Sequence, residues 1–196
     1  KVILSIGHSG ADYQTATAAF DAGARHITHC FNAMTGLHHR ELGIVGAALT
    51  RDFTVEFITD KIHVHPDLFE PMMRVKKDDQ SILITDAMRA AFLEEGEYDL
   101  GGQNVFVKDG ACRLEDGTIA GSVHRMDQAL RNMLDATDFG IERISRMLSY
   151  NPAKLLGVEQ ERGAIEAGLY ADLVLLDENF EVVEVYVEGQ LQLKKE

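Results

Sequence analysis

Over the first two-thirds of the chain, short apolar runs alternate with longer stretches of helical character. Val2–Ile6 is apolar and rich in β-branched residues, the pattern of a strand buried on both faces of a parallel sheet. Asp12–Ala22 has helical character and stops at Gly23, a residue suited to ending a helix. His26–His29 reads as the next strand, Cys30–Gly43 as a long loop, and Thr54–Ile58 as a third strand. Pro66 and Asp67 open a helix that runs to about Lys76, and Ile82–Thr85 is a fourth strand. Strands separated by helices in this way predict serial βα units.

The pattern then changes. Gly101-Gly102, Asp109-Gly110 and Asp116-Gly117 are turn signals between short strands, so residues 96–118 read as a β-hairpin insertion. Helical sequence returns at about Ser122–Ala136 and Ile141–Tyr150, and Asn151-Pro152 starts another short helix. From Gly163 the spacing is again that of strands, at Ala171–Leu176, Val182–Glu188 and Leu191–Leu193. The chain shows neither an internal repeat nor a low-complexity segment.

Composition narrows the function. With 45% apolar and 26% charged residues among 196, the chain has the make-up of a globular protein. A net charge of −13 argues against a nucleic-acid surface, which needs clustered Lys and Arg, but leaves room for a small anion held by one local arginine. Lys194-Lys195 reads as a solvated tail. The cysteines Cys30 and Cys112 have no CxxC spacing, which points to a reduced, cytoplasmic setting. No apolar run approaches the ~20 residues of a membrane span, so no membrane partner is expected. The chain opens inside a strand pattern, with no leader and no first cap, and is therefore expected to be a piece of something longer.

Each predicted βα strand finishes near a residue capable of chemistry: His8, His29, His63 and Asp86, at intervals of 21, 34 and 23 residues. In a (β/α)8 barrel the carboxyl ends of the strands converge on one mouth, where the active site lies. Two neutral imidazoles suit Zn²⁺ or a similar divalent ion, and a neighbouring carboxylate can take a proton from water activated there and later give it to a leaving group. Taken singly, each histidine also reads as a hydrogen-bonded structural residue, and Asp86 as a cap. His26, His38, His39, His65 and His124 show that histidine is not scarce. Recurrence at strand ends is what favours the functional reading.

The motifs Gly7-His8-Ser9, Thr28-His29-Cys30-Phe31-Asn32-Ala33-Met34, Asp60 through His63-Val64-His65-Pro66, Thr85-Asp86-Ala87 and Gly117-Thr118-Ile119-Ala120-Gly121-Ser122 occur in that order. Together they resemble the N-acetylglucosamine-6-phosphate deacetylase family. Asn151-Pro152-Ala153 with Gly157, Gly163, Ile165, Gly168 and Ala171-Asp172-Leu173-Val174 is similar to a closing pattern shared widely among amidohydrolases. The resemblance covers essentially all of the chain. It implies an α/β fold: the second half of a metal-dependent (β/α)8 amidohydrolase barrel over residues 1–160, and the C-terminal strands of a small β-sandwich domain over 161–196.

The resemblance also implies roles. His8 and His29 would be metal ligands at the ends of barrel strands five and six, for a divalent ion that is first of all zinc, with iron, cobalt or manganese as alternatives. Asp86 would be the base that activates water and the acid that protonates the departing amine. Asn32 and Ala33 would contact the sugar phosphate, and Arg40 would pair with it, reaching a neighbouring subunit's site in a homodimer. His63, with Asp60 nearby, would hold the substrate, and Ile119, Ala120 and Gly121 would line the sugar. The reaction would convert N-acetylglucosamine 6-phosphate to glucosamine 6-phosphate and acetate.

Three departures qualify the resemblance. Lys61 stands where glycine is usual, Leu42 where proline is common, and Met88-Arg89 after Asp86 is bulkier than usual. The family's metal-binding glutamate and carbonyl-polarising histidine have no counterpart here, so these residues alone are expected to be inactive. Two other readings stay open. One is a dihydroorotase-like or deaminase-like amidohydrolase, which would not need Asn32 or Arg40. The other is a non-catalytic barrel fragment acting as a binding module.

Overall fold

The computed structural model describes residues 2–195. Four parallel strands form its main sheet in chain order: β1 (Ser5–Ile6), β2 (His26–Ile27), β3 (Thr54–Ile58) and β4 (Ser81–Ile84). Ser5 and Ile6 pair with His26 and Ile27, these with Thr54 and Val55, and Val55–Ile58 with Ser81–Ile84. Three helical crossovers connect these strands. They are α1 (Tyr13–Asp21), α2 (Gly43–Thr50) and a 3₁₀ turn (Pro66–Leu68) running into α3 (Phe69–Arg74).

Local chemistry fixes these elements. The Asp12 carboxylate accepts from the Thr15 amide at 2.8 Å and caps α1. Helix α2 has no signal in the sequence, because GIVGAALT is buried almost all round and has no polar face to give a helical period. Its N-terminus is capped from a distance, by the Thr35 hydroxyl accepting from the Ile44 amide at 2.8 Å. Gly43 enters it at φ +59°, where a Cβ would lie 2.5 Å from the Gly36 carbonyl oxygen.

The core lies between the sheet and its helices. Ile27, Val55, Phe57 and Leu83 from the strands meet Ile44, Val45, Phe69, Met73, Met133 and Ile144. Burying side chains of this size stabilises by ~1.5–3 kcal/mol each. The first strand is a correction. Only Ser5–Ile6 pairs, and Val2 and Leu4 are 84% and 55% exposed rather than buried. The reason is that β1 has a paired neighbour on one side only, so the apolar run has nothing to pack against.

After β4 the chain forms an antiparallel sheet of β5 (Gly96–Leu100), β6 (Gln103–Lys108) and β7 (Ala111–Arg113). Gly101-Gly102 and Asp109-Gly110 form its two-residue turns, all four residues at positive φ, as tight hairpins of matching twist require. Helix α4 (Met126–Ala136) follows, starting four residues later than its sequence suggests. The preceding residues are tied instead to the end of β4, with Ser122 bridging to Ala87. Then come α5 (Ile141–Ser145), a π-helical turn (Arg146–Tyr150) and α6 (Asn151–Leu156). A third sheet, antiparallel, orders β8 (Leu173–Leu176), β9 (Val182–Val187) and β10 (Gln190–Lys194) with β9 in the middle. Arg131 of α4 reaches it, donating to the Phe180 carbonyl at 2.8 Å and pairing with Glu181 at 3.2 Å. No helix among the described residues is long and apolar enough to cross a membrane.

Candidate metal and substrate site

His8 lies two residues past Ile6, and His29 two past Ile27, the residue paired with Ile6. The register therefore sets the two histidines side by side at the carboxyl end of the sheet. Their Nε2 atoms are 3.0 Å apart. Both residues have left-handed backbones, His8 at φ +44° and His29 at φ +28°. Asp86, two residues past Ile84, has φ +49°. Such conformations cost a non-glycine residue ~1–3 kcal/mol and persist where the surroundings over-determine them, commonly at functional sites.

The imidazole pair suits a divalent cation. Two nitrogens on a tetrahedral Zn²⁺ at 2.0–2.1 Å are separated by about 3.3 Å, close to the distance observed. The Nδ1 of His29 is buried without a partner. Two imidazoles fill two coordination places. Among the described residues no three His, Cys, Asp or Glu side chains converge tightly enough to hold a metal ion, so Asp86 does not join the pair in one cluster.

Around the pair, the loop after β2 turns back on itself. The Asn32 side-chain amide donates to the carbonyls of His29 and Cys30 at 3.2 and 3.3 Å. Ala33, at φ +50°, accepts from the Ser9 amide at 3.0 Å and tethers this loop to the segment after β1. His8, Ser9, Gly10, Ala33, Met34 and Thr35 line an open concavity there. Arg40 is exposed, its guanidinium against the His39 ring and its amide donating to His38 Nδ1 at 3.4 Å.

A second cluster sits past β3. The Asp60 carboxylate accepts from the amides of Ile62 and His63, both at 2.9 Å, and from His63 Nδ1 at 2.6 Å. The two side chains are only 7% and 6% exposed. Burial pushes the Asp60 carboxyl up, but the hydrogen bonds from the His63 ring and the two amides outweigh it and hold the group below the usual carboxylate range. The same bond leaves His63 Nε2 as the ring atom free to meet a ligand. Between Asp60 and His63, Lys61 occupies the left-handed region at φ +67°, the conformation that the glycine expected there would take without strain. Its ammonium pairs with Asp135 of α4 at 2.5 Å.

The third wall is the segment Ile119–Ser122. Its Ser122 amide donates to the Asp86 carbonyl at 3.0 Å, and the Ser122 hydroxyl donates to the Thr85 carbonyl. Gly121, at φ +67°, brings this backbone against Met88, whose Cβ would lie 3.3 Å from an added Cβ. Ser122 thus holds the Asp86 carbonyl with its amide and the preceding Thr85 carbonyl with its hydroxyl, leaving Asp86 exposed. His124 follows, buried, its Nε2 without a partner. Burial lowers its pKa despite the opposing charge of Asp60.

Three groups that position these residues have no role assigned from the sequence: His26 and Glu56 behind His29, and Ser122 beside Asp86. Glu56 carries a signal, since a lone carboxylate sits in the middle of a strand between Val55 and Phe57.

Comparison with known proteins bears on the whole arrangement. The model of the Amidohydrolase family matches residues 1–191. The chain is 42% identical over 192 residues to an N-acetylgalactosamine-6-phosphate deacetylase of Escherichia coli O157:H7, covering 97% of this chain and 51% of that protein. It is 40% identical to an N-acetylglucosamine-6-phosphate deacetylase of Bacillus subtilis, covering 97% and 48%. The crystal structure of N-acetylglucosamine-6-phosphate deacetylase from Pasteurella multocida superposes with a TM-score of 0.94 at 33% identity, over 97% of this chain and 50% of that one. The chain spans about half the length of these relatives. With one family model running across strands, site segments and tail alike, the chain belongs to the amidohydrolase family.

Proposed function

We propose that these residues serve a metal-dependent hydrolase that removes the acetyl group from an N-acetylamino-sugar 6-phosphate, N-acetylglucosamine 6-phosphate first. The observation that carries this reading is the imidazole pair, His8 and His29, Nε2 to Nε2 at 3.0 Å on two left-handed strand ends. The sheet of β1–β4 would be the second half of a (β/α)8 barrel over residues 1–160, with the hairpins near 96–118 as its insertion. Residues 161–196 would belong to a small β-sandwich domain.

His8 and His29 would hold a divalent cation, zinc in the first place, with iron, cobalt or manganese as alternatives. When bound, such an ion supplies the positive charge that makes water acidic enough to attack near neutral pH. Asp86 would take a proton from the attacking water as it adds to the acetamide carbonyl. When the C–N bond breaks, Asp86 returns the proton to the departing amine, leaving acetate and the free amino sugar. Its exposed side chain and fixed main chain suit a group that must meet substrate in one orientation. His63, oriented by Asp60, offers Nε2 to a sugar hydroxyl, while Ile119, Ala120 and Gly121 form the wall beside it. Asn32 and the backbone of Ala33 would receive the phosphate, and Arg40 would complete its binding across a homodimer interface, consistent with its exposure in this chain. The setting would be cytoplasmic.

A second reading differs only in the sugar epimer. The name of the Escherichia coli relative, an N-acetylgalactosamine-6-phosphate deacetylase, supports it.

One assay tests the proposal. Acetate release from both phosphorylated epimers and from unphosphorylated N-acetylglucosamine is measured on the full-length protein supplied with Zn²⁺. Asp86→Asn should lose ~10²–10⁴-fold in kcat. Arg40→Ala should raise KM for the phosphorylated sugar while leaving the unphosphorylated one unchanged. Equal losses on both sugars, or an active Asp86→Asn enzyme, would refute the assignment.

A further inference from the structure

The ligand pair is only as good as the turn that presents it, and one side chain stands behind that turn. Glu56 lies at the middle of β3, on the face opposite Val55 and Phe57, which are buried in the core. Its Oε1 meets His26 Nε2 at 2.9 Å, and its Oε2 accepts from the His29 amide at 3.2 Å. Its own main-chain carbonyl accepts from the Cys30 amide at 2.8 Å. One residue thus grips the β2 strand and the turn after it at three places. His26 is 5% exposed and the Glu56 side chain 20% exposed, so these bonds lie largely away from water.

We infer that Glu56, steadied by His26, is the positioning residue that holds His29 in its left-handed conformation and so sets the spacing of the imidazole pair. This role rests on the metal site proposed above. At φ +28° His29 has no intrinsic reason to stay where it is. Its amide points at a carboxylate oxygen, and relaxing toward the extended region would abandon that bond and leave a half-buried carboxylate short of a partner. Glu56 therefore converts a strained backbone into a fixed one, and the ring follows the backbone. Outer groups that orient metal-binding histidines usually act on the second ring nitrogen. Here the Nδ1 of His29 has no partner, and the orienting contact is made through the main chain.

The role predicts different behaviour for two substitutions. In Glu56→Gln, the carbonyl oxygen can still accept from the His29 amide. The side-chain NH₂ can donate to His26 Nε2 once the His26 proton moves to Nδ1, an atom that now has no partner. In Glu56→Ala both contacts go.

The test is calorimetric titration of Zn²⁺ alone into metal-stripped full-length protein, with folding checked by circular dichroism and no turnover needed. Wild type should bind and His29→Ala should not. Glu56→Ala should bind ~10–100-fold more weakly, and Glu56→Gln should stay near wild type. If Glu56→Ala does not fold, His26→Ala carries the test, with a weakening of several-fold expected. Should His29→Ala bind as wild type does, the metal site itself is wrong. Should His29→Ala lose binding while Glu56→Ala or His26→Ala keeps it, or should Glu56→Gln fall as far as Glu56→Ala, the site stands and the positioning role is overturned.

Discussion

Replacing Asp60 by alanine should destabilise the protein well beyond the usual cost of a surface carboxylate. The group accepts three hydrogen bonds, at 2.9, 2.9 and 2.6 Å, with its side chain 7% exposed. A hydrogen bond to a charged group contributes ~1.5–3 kcal/mol, and donors left unpaired in a buried place add their desolvation penalty. Losses that share one acceptor do not add fully, so Asp60→Ala should cost about 3–4 kcal/mol. Asp60→Asn keeps an oxygen for the two amides and disturbs mainly the ring contact, for about 1–2 kcal/mol. The pH dependence has a definite sign. The folded-state pKa of Asp60 lies below its ordinary value of 3.8, so its contribution is fully present above that value and fades as pH falls through the lower, folded one. The gap between wild type and Asp60→Ala in urea unfolding should be flat from pH 6 to 8 and narrow below about pH 4. A variant within ~0.5 kcal/mol of wild type at pH 7, or a gap that widens on acidification, would refute the account.

Lys76 gives a slope of the same sign in a more alkaline window, but for the opposite reason: folding disfavours its charged form. It is buried, its ammonium donates to the carbonyls of Ala48 and Arg51 at 2.7 and 2.8 Å, and burial lowers its pKa from 10.5 to about 8. The unfolded chain then holds the proton more tightly than the folded one, so stability should rise as pH climbs from about 8 towards 10.5, and Lys76→Met should flatten that rise in thermal melts. A slope unchanged in the variant would count against it. Lys61 tests the left-handed backbone: Lys61→Gly removes the strain but also an exposed ion pair and some chain stiffness, for a net change within ~0.5 kcal/mol, whereas Lys61→Val should cost ~1–2 kcal/mol in the same unfolding assay. Equal effects of glycine and valine would mean that φ +67° is not what limits this position.

Much of the scaffold could be read from the chain because its signals are local. Thr54–Ile58 is a strand with the bounds its alternation indicates, and the two-residue hairpins sit at Gly101-Gly102 and Asp109-Gly110, pairs that tolerate positive φ. The misreadings came where neighbours decide. Val2–Leu4 has strand character but no second paired strand to cover it, and α2 is a helix whose two glycines are dictated by the close approach of Gly36 and Leu42. In the candidate site, His8 and His29 stood out as imidazoles at strand ends. Glu56 and His26 did not, because a polar residue inside a strand has no meaning until the register shows what faces it. Asp86 was legible as a residue but not as a partner, since its distance from the histidines depends on more of the fold than spacing conveys.

The reach of Arg131 has a mechanical consequence. Its guanidinium is shared between Asp127 of its own helix, whose pKa is held to about 2, and the Phe180–Glu181 turn beside β9. Asp127 is anchored in turn by Arg125, next to His124. Any swing of the last three strands must either break this charged knot or drag the head of α4 with it. The last three strands and the head of α4 are thus fastened by one cluster of charges, and that cluster begins only three residues past Ser122 in the wall beside Asp86.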